Sequence, residues 1–168
     1  SQQVLRDWSL AKVISIKPAK GADITKVVFA DFKWTACKDA KSPEPQMDSN
    51  GRLYLTADMA SETTTFWRVM QDMSLEGKKK ISVGGTIYDR GLGVHASSTI
   101  VFPLDGKFKT FHVVPGPDDV NRGLLEMSIL VDGKQVFATG KVSSNGFMAN
   151  ALEIPVAGAK TLTLMVND

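Results

Sequence analysis

Frequent turn residues divide the second half of this sequence into short runs, and this division is the strongest constraint on the fold. From Ala96 onward, β-type runs and turn signals alternate about every eight to twelve positions, the spacing of an all-β sandwich or barrel. The run 124–131 is the clearest strand, because its apolar side chains occupy every second position: Leu125, Met127, Ile129 and Val131. The runs 110–114 and 161–166 repeat this alternation, so the sequence predicts several half-buried strands.

Asp-Gly pairs mark the turns between these runs. Asp105-Gly106 and Asp132-Gly133 each supply two residues that tolerate the positive φ of a tight hairpin turn. The second pair predicts a hairpin between the runs 124–131 and 134–138. Strands this short and closely spaced leave little room for crossover helices, which disfavours a parallel α/β fold. The sequence therefore predicts an antiparallel β-sandwich.

The first half of the sequence is less regular. The segment from Trp8 to Lys17 fits either a short strand or a linker, and Val27 to Trp34 fits a strand. Lys38 to Arg52 contains two prolines and a Ser-Asn-Gly turn signal, which predicts a long surface loop. Between Ser61 and Met73, apolar residues recur at helical spacing, while a Thr-rich stretch favours a strand. We expect a strand there, because the rest of the chain has β character.

Composition and charge exclude several classes of protein. The 168 residues correspond to one domain, or to a domain with an appendage. The formal net charge of +2 argues against a large nucleic-acid interface. No run approaches the ~20 apolar residues of a membrane helix, and the single cysteine, Cys37, excludes an internal disulfide. No leader precedes Ser1, so a signal peptide is either absent or already removed, and localisation cannot be read from the ends.

The densest cluster of polar groups surrounds a Gly-Leu-Gly triplet. Tyr88, Asp89, Arg90 and His95 offer an aromatic face, an acceptor, a planar donor fork and an imidazole. The glycines on both sides of Leu92 free the main chain to aim these side chains at one point. This combination suits a sugar, whose hydroxyls need donors and acceptors and whose C–H face stacks on an aromatic ring. Alternatively, the glycines only shape a turn, the charged residues form a surface pair and the imidazole belongs to the core.

A second polar segment, residues 115–123, is rich in oxygen ligands and turn formers. Asp118, Asp119 and Asn121, with nearby carbonyl groups, offer the ligands that a calcium ion prefers. No EF-hand spacing is present, so a solvated loop is the favoured interpretation and a structural calcium site is the alternative. The loop can equally supply Asp119 or Arg122 to a ligand bound beside the glycine triplet.

Groups suited to catalysis are scarce. His95 and His112 are too few for the common zinc sites in a chain with one cysteine. Ser97 and Ser98 follow His95, but neighbours on a strand point to opposite faces, and no GxSxG elbow is present. We therefore expect no enzyme activity and no cofactor apart from the calcium alternative.

Three tryptophans remain as possible contact surfaces. Most tryptophans in a β-sandwich pack in the core or at its edges, which is the simplest expectation for Trp8 and Trp34. Trp67 lies in a polar, Thr-rich neighbourhood, and it is the most suggestive of the three as a ligand contact.

The order and spacing of five sequence blocks resemble a known family. The first block contains Tyr-x-x-Gly-Leu-Gly-x-His-Ala, and the five together span 81–96, 102–108, 116–119, 130–140 and 156–164. Over residues 80–168 the chain resembles the novel putative carbohydrate-binding module family. The resemblance implies a galactose-binding-like β-sandwich of the jelly-roll type, with a lectin-like, non-catalytic role in recognising galactose-containing glycans. It also implies attachment to a secreted or cell-surface glycoside hydrolase.

The resemblance also implies site residues and domain limits. Carried over residue by residue, the expected sugar contacts are Tyr88, Arg90 and His95, with Asp119 from the acidic loop. Trp67 joins this set on its chemistry alone, because residues 52–77 contain an insertion relative to the family pattern. The sandwich is expected at residues 25–168, after an N-terminal extension or linker at 1–24. Family members continue past the last strand, so we expect the sandwich to be truncated at its C-terminal end.

The expected partners follow from the same resemblance. They are a galactose-containing glycan and a covalently linked catalytic domain, with no nucleic acid and no insertion into a membrane. The alternative from another class is a structural or protein-interaction sandwich without affinity for sugars, in which the glycine triplet is only architecture.

Overall fold

The structure is a computed structural model, and it describes residues 7–18, 50–65, 67–75 and 79–168. These ranges form antiparallel strands and one 3₁₀ turn, Ala57–Met59. The strands are β1 (Asp7–Pro18), β2 (Leu53–Tyr54), β3 (Glu62–Thr65), β4 (Met70–Gln71), β5 (Ile81–Val83), β6 (Thr86–Tyr88), β7 (Gly91–His95), β8 (Ser98–Pro103), β9 (Phe108–Pro117), β10 (Glu126–Val131), β11 (Lys134–Ala138), β12 (Leu152–Pro155) and β13 (Thr161–Asn167). Within the described ranges, no helix has the length and apolar character needed to cross a membrane. The prediction of an all-β, antiparallel fold is confirmed.

Two sheets form the sandwich. The larger sheet has the order β12-β9-β1-β7-β4, with β2 paired to β1, and the smaller sheet has the order β11-β10-β13-β8-β3. The hairpin of β5 and β6 is a separate two-stranded sheet. The connections from β3 to β4 and from β7 to β8 both cross between the two main sheets. Both crossings lie at the same end of the sandwich.

The core follows the alternation of the sequence. In β13, Leu162, Leu164 and Val166 are at most 2% exposed, whereas the residues between them are half-buried. Phe111 and Val113 of β9 are buried in the same way. Burying each such apolar side chain contributes about 1.5–3 kcal/mol, so a one-residue slip in register would be strongly unfavourable. The predicted strand faces are therefore confirmed.

The β10–β11 hairpin turns where the sequence predicts it. Asp132 and Gly133 have φ of 50° and 78°, as a tight turn with two left-handed residues requires. The Asp132 carboxylate accepts hydrogen bonds from the backbone N–H groups of Thr161 (2.9 Å) and Lys160 (2.8 Å). These two bonds favour the charged form and hold the pKa of Asp132 below its usual value, and the bond from Thr161 has the larger effect. The turn is thereby joined to the start of β13.

The segment between Ser61 and Met73 forms two short strands. β3 pairs with β8 in the smaller sheet, and β4 pairs with β7 in the larger sheet. Val69, just before β4, packs against the main core. The expectation of a strand is confirmed, because pairing with existing strand edges favours the extended form over the helical spacing.

Strand β1 corrects the predicted domain boundary. It lies between β9 and β7, and Ser9 pairs with both Gly93 and Gly116. The prediction of an N-terminal extension or linker is therefore wrong for residues 7–18, and the strand interpretation of this segment is correct. Its partners are distant in the chain, so no local pattern indicated its central position. Other expectations lie outside the described residues, namely those for Val27–Trp34, Cys37 and most of the loop Lys38–Arg52.

Candidate functional site

The Gly-Leu-Gly triplet of β7 allows close packing between layers. Leu92 and Val94 are fully buried in the main core, so Gly93 faces the opposite side of the larger sheet. A Cβ on Gly93 would lie 2.4 Å from the carbonyl oxygen of Met73 and 3.0 Å from the amide nitrogen of Leu75. The segment 73–75 therefore packs directly against this strand. Gly93 therefore serves close packing within a strand, and not the turn that the alternative interpretation expected.

Tyr88 is part of a small second core. Its side chain is 6% exposed and packs with Ile81, Val83 and Val114, between the β5–β6 hairpin and the larger sheet. Gly116 lets the hairpin approach, since a Cβ there would lie 2.4 Å from Cγ1 of Val83. The predicted use of the Tyr88 ring as an open stacking face is wrong in this structure, because the ring is enclosed between its own hairpin and the larger sheet.

Arg90 belongs to a network at the start of β7. Its guanidinium carbon lies 4.8 Å from the centre of the Tyr54 ring, and Nη1 lies 3.5 Å from Oδ2 of Asp72. Oδ1 of Asp72 accepts hydrogen bonds from the Gly91 amide (3.0 Å) and from Nε2 of Gln71 (2.8 Å). The network ties β2, β4 and β7 together at this end of the larger sheet.

His95 lies at the other end of the same strand. It is four residue steps along the extended chain from Gly91, a distance of about 13 Å at the rise of a strand. Its Nδ1 contacts the carbonyl oxygen of Ala96 in the bend that leads to β8. The predicted convergence of Tyr88, Arg90 and His95 is therefore wrong: Tyr88 is buried, and the other two lie at opposite ends of β7.

A polar surface with an exposed aromatic residue lies at the His95 end. Thr65 pairs with Ser98 and Met70 pairs with Gly93, so the β3–β4 connection crosses beside the β7–β8 bend. Trp67 is on this connection and is 49% exposed.

The C-terminal end of β13 reaches the same place. Ser98 pairs with Val166, and Oγ of Ser97 donates a hydrogen bond to Oδ1 of Asp168 at 3.2 Å. We call this end of the sandwich, where the strand pairings place Trp67, His95, Ser97 and Asp168, the His95 rim. It combines an open indole with an imidazole, a hydroxyl and a carboxylate, the groups that hydrogen-bond sugar hydroxyls and stack on a C–H face.

Ser97 and Asp168 are absent from the sequence-predicted set. The sequence pattern presented Ser97 only as a candidate nucleophile beside His95, and it did not indicate a role for Asp168. Their proximity depends on the pairing of β8 with β13, strands that are about 60 residues apart in the chain. Knowing that the last strand pairs with β8 would have placed Asp168 beside Ser97. A single sequence does not show which strands pair or in which register.

Asp119 follows β9 at the same end of the larger sheet. Its backbone N–H donates to the carbonyl oxygen of Ser82 (2.8 Å), and its carboxylate accepts hydrogen bonds from Oγ of Ser82 and from the Gly85 amide. The side chain therefore anchors the β5–β6 hairpin, while its surface stays exposed. The structure does not bring it into contact with Arg90.

The acidic loop does not assemble a calcium site. Asp118 is buried and accepts from the Val120 amide, and the buried amide of Asn121 closes on the backbone of Gly123. With Asp119 turned to the hairpin, the three side chains face separate partners. In the described part of the chain, no three His, Cys, Asp or Glu side chains lie close enough to share an ion. These residues do not fit a calcium ion, and we derive no role for one.

Comparison with known proteins gives one family match. The model of the NPCBM/NEW2 domain matches residues 52–168. A curated protein from Renibacterium salmoninarum, named as a putative endo-alpha-N-acetylgalactosaminidase, is 34% identical over 88 residues. That match covers 51% of this chain and 6% of the relative, so this chain spans a small part of the relative's length.

Two solved structures from Clostridium perfringens share the fold. One is the CBM51 module of a GH95 protein in complex with methyl-galactose, with a TM-score of 0.58 and 26% identity over 65% of this chain and 81% of that one. The other contains the M60 catalytic domain of ZmpB with its CBM51-1 and CBM51-2 domains. It gives a TM-score of 0.61 and 26% identity, covering 74% of this chain and 15% of that one. Both likenesses support the sandwich described above.

Proposed function

The chain belongs to the NPCBM/NEW2 domain family, and from this premise we propose that it recognises galactose-containing glycans and holds a covalently linked glycoside hydrolase near its substrate. That it is a carbohydrate-binding module of the kind appended to such enzymes follows from the family and from the CBM51 relatives. It is an ancillary domain and not a catalytic one. The galactose specificity and the targeting role are the proposal.

One observation carries the galactose specificity. The CBM51 module of the Clostridium perfringens GH95 protein, which is 26% identical to this chain over the aligned part, is described in complex with methyl-galactose. A shared fold does not by itself determine the ligand. The family match and this complex nevertheless make galactosides the first sugars to test.

The sugar is proposed to bind at the His95 rim. The exposed indole of Trp67 would cover the C–H face of the ring, because aromatic faces and sugar C–H groups are complementary. His95, Ser97 and Asp168 would exchange hydrogen bonds with its hydroxyls. Asp119, at the same end of the sheet, is a proposed acceptor for a further sugar unit. Arg90 precedes β7, about 17 Å from His95 at the rise of a strand, and we assign it to the structure and not to this site.

The targeting role is consistent with weak binding of sugar at each site. A monosaccharide has few atoms, and desolvation of its hydroxyls offsets most of the hydrogen-bond gain, so each site binds weakly. Repeated modules or a tethered enzyme raise the effective concentration near a glycan surface. A secreted or cell-surface location is part of this proposal, because such glycans are found there.

Titration calorimetry tests the proposal directly. We expect the chain to bind methyl-galactose more tightly than methyl-glucose, and Trp67→Ala to weaken that binding about tenfold through loss of the stacking face. Met148→Ala is the matched control, because Met148 is also an exposed large apolar side chain but lies outside the rim. A folded chain that binds no galactoside would reject the proposal and favour the protein-interaction alternative.

A further inference from the structure

A second polar surface lies far from the His95 rim. A cleft of about 470 Å³ opens on the larger sheet, and its volume falls in the range of small-molecule sites. Six residues line it: Asn50, Arg52, Lys109, Thr110, His112 and Glu153. Thr110 is about 23 Å along β9 from Pro117, the end that borders the rim. We call it the Arg52 cleft.

Strand alternation builds the floor of the Arg52 cleft. Phe111 and Ile154 are buried in the main core, so their neighbours Thr110, His112 and Glu153 face outward from the larger sheet. His112 pairs directly with Glu153 across β9 and β12. The floor is therefore fixed by backbone pairing rather than by a loop.

The wall of the cleft comes from the segment before β2. Leu53 of β2 is fully buried and pairs with Ile16 of β1, which in turn pairs with Phe111 of β9. This chain of pairings holds Arg52 beside the outward face of β9, where it lines the cleft with Asn50. The backbone position of Arg52 is thus tied to the core.

The lining carries an excess of positive charge. Arg52 and Lys109 are cationic at neutral pH, and Glu153 is the one carboxylate among the six lining residues. The Glu153 side chain is 73% exposed, and Oε1 lies 3.5 Å from Nδ1 of His112. A charge so open to water balances its neighbours only in part.

The lining is also entirely polar. Its hydroxyl and amide groups, from Thr110 and Asn50, suit hydroxyl-bearing ligands, and none of the six residues is a phenylalanine, tyrosine or tryptophan. Arginine binds planar anionic groups through two parallel hydrogen bonds, and lysine adds a point charge. We infer that the Arg52 cleft binds an anionic saccharide through a carboxylate or a sulfate ester, at a site separate from the proposed galactose site.

Charge reversal in the full chain tests this inference. The probes are glucuronate, galactose 6-sulfate, methyl-galactose and inorganic sulfate, titrated at about 50 mM salt, where attraction between exposed charges is not fully screened. We expect Lys109→Glu and Arg52→Glu each to weaken binding of the anionic sugars about tenfold, because attraction becomes repulsion. Lys134→Glu makes the same charge change on β11 of the other sheet, and we expect an effect below about twofold.

Amide chemical shifts locate the ligand even where a variant folds poorly. In the unmodified chain, glucuronate or the sulfated sugar should shift the resonances of Thr110, His112 and Glu153, and leave those of Ser97 unchanged. A preference between the two sugars identifies the anionic group, and either preference supports the inference. The inference would be overturned if neither anionic sugar shifted these resonances, or if Lys134→Glu weakened binding as much as Lys109→Glu. It would also be overturned if inorganic sulfate, an adventitious ion only, bound as tightly as the sulfated sugar. Binding of methyl-galactose is read separately, so failure at one site does not imply failure at the other.

Discussion

The two ends of β7 differ in what their polar side chains do. At the Gly91 end, the guanidinium of Arg90 lies over Tyr54 and beside Asp72, whose carboxylate also holds the Gly91 amide. At the His95 end, Trp67 is half exposed, and the hydroxyl and carboxylate of the rim lie at the surface. One end joins strands to each other, and the other presents groups to solvent.

This difference shows that closeness in the chain does not make a binding site. An extended strand separates residues by about 3.3 Å each, so a block of polar residues that crosses a strand is divided between its two ends. The glycines between them do not bend the chain to reunite the block. Gly93 instead admits the backbone of residues 73–75.

The largest change in stability is expected for a substitution at Gly93, which lies between the two ends of β7. Gly93→Ala should lower the free energy of unfolding by about 3 kcal/mol, because the added Cβ meets backbone atoms that cannot rotate away. Gly85→Ala is the matched control: its φ is 78° but the space around it is open, so about 1 kcal/mol is expected from backbone strain alone. Denaturant titration measures both. Equal losses would mean that close packing is not the role of Gly93.

The next effect tests the Gly91 end. Asp72→Ala should cost about 2 kcal/mol of stability, since it removes the acceptor of the Gly91 amide and the partner of Arg90. Binding of methyl-galactose should not change. A variant of native stability that no longer binds the sugar would move the proposed site to this end of β7.

A smaller effect tests the His95 end. His95→Ala should weaken methyl-galactose binding about fivefold, the worth of one hydrogen bond of about 1 kcal/mol, with little change in stability. Arg90→Ala is the counterpart at the opposite end and should show unchanged binding with a modest loss of stability. Calorimetry and thermal unfolding of the two variants together provide the measurement. Weaker binding in Arg90→Ala with unchanged binding in His95→Ala would contradict the placement of the sugar at the His95 end.

The smallest effect concerns Tyr88, which belongs to neither end. Tyr88→Phe keeps the ring that packs with Ile81 and Val83, so stability should change by less than about 0.5 kcal/mol and sugar binding should not change. A loss of binding, measured by the same titration, would show that the hydroxyl group of Tyr88 contacts the ligand after all.

Local features of the fold were predictable from the sequence, whereas the arrangement of side chains at the proposed site was not. The Asp132-Gly133 turn and the buried face of β13 depend on neighbouring residues, so their patterns appear directly in the sequence. Trp67 was identified by its polar surroundings. Ser97 and Asp168 gave no signal as a pair, since their contact needs the register of β8 against β13.

The sequence by itself determined several strands of the second half, the buried faces of β9 and β13, the Asp132-Gly133 hairpin turn and the family to which the chain belongs. Only the tertiary structure decided that β1 is central, that Tyr88 is covered, and that Arg90 and His95 lie apart. The physical reason is that alternation and turn geometry are local properties, recorded within a few residues. The pairing of distant strands results from burying all their apolar faces together, and it alone determines which polar side chains meet at an edge.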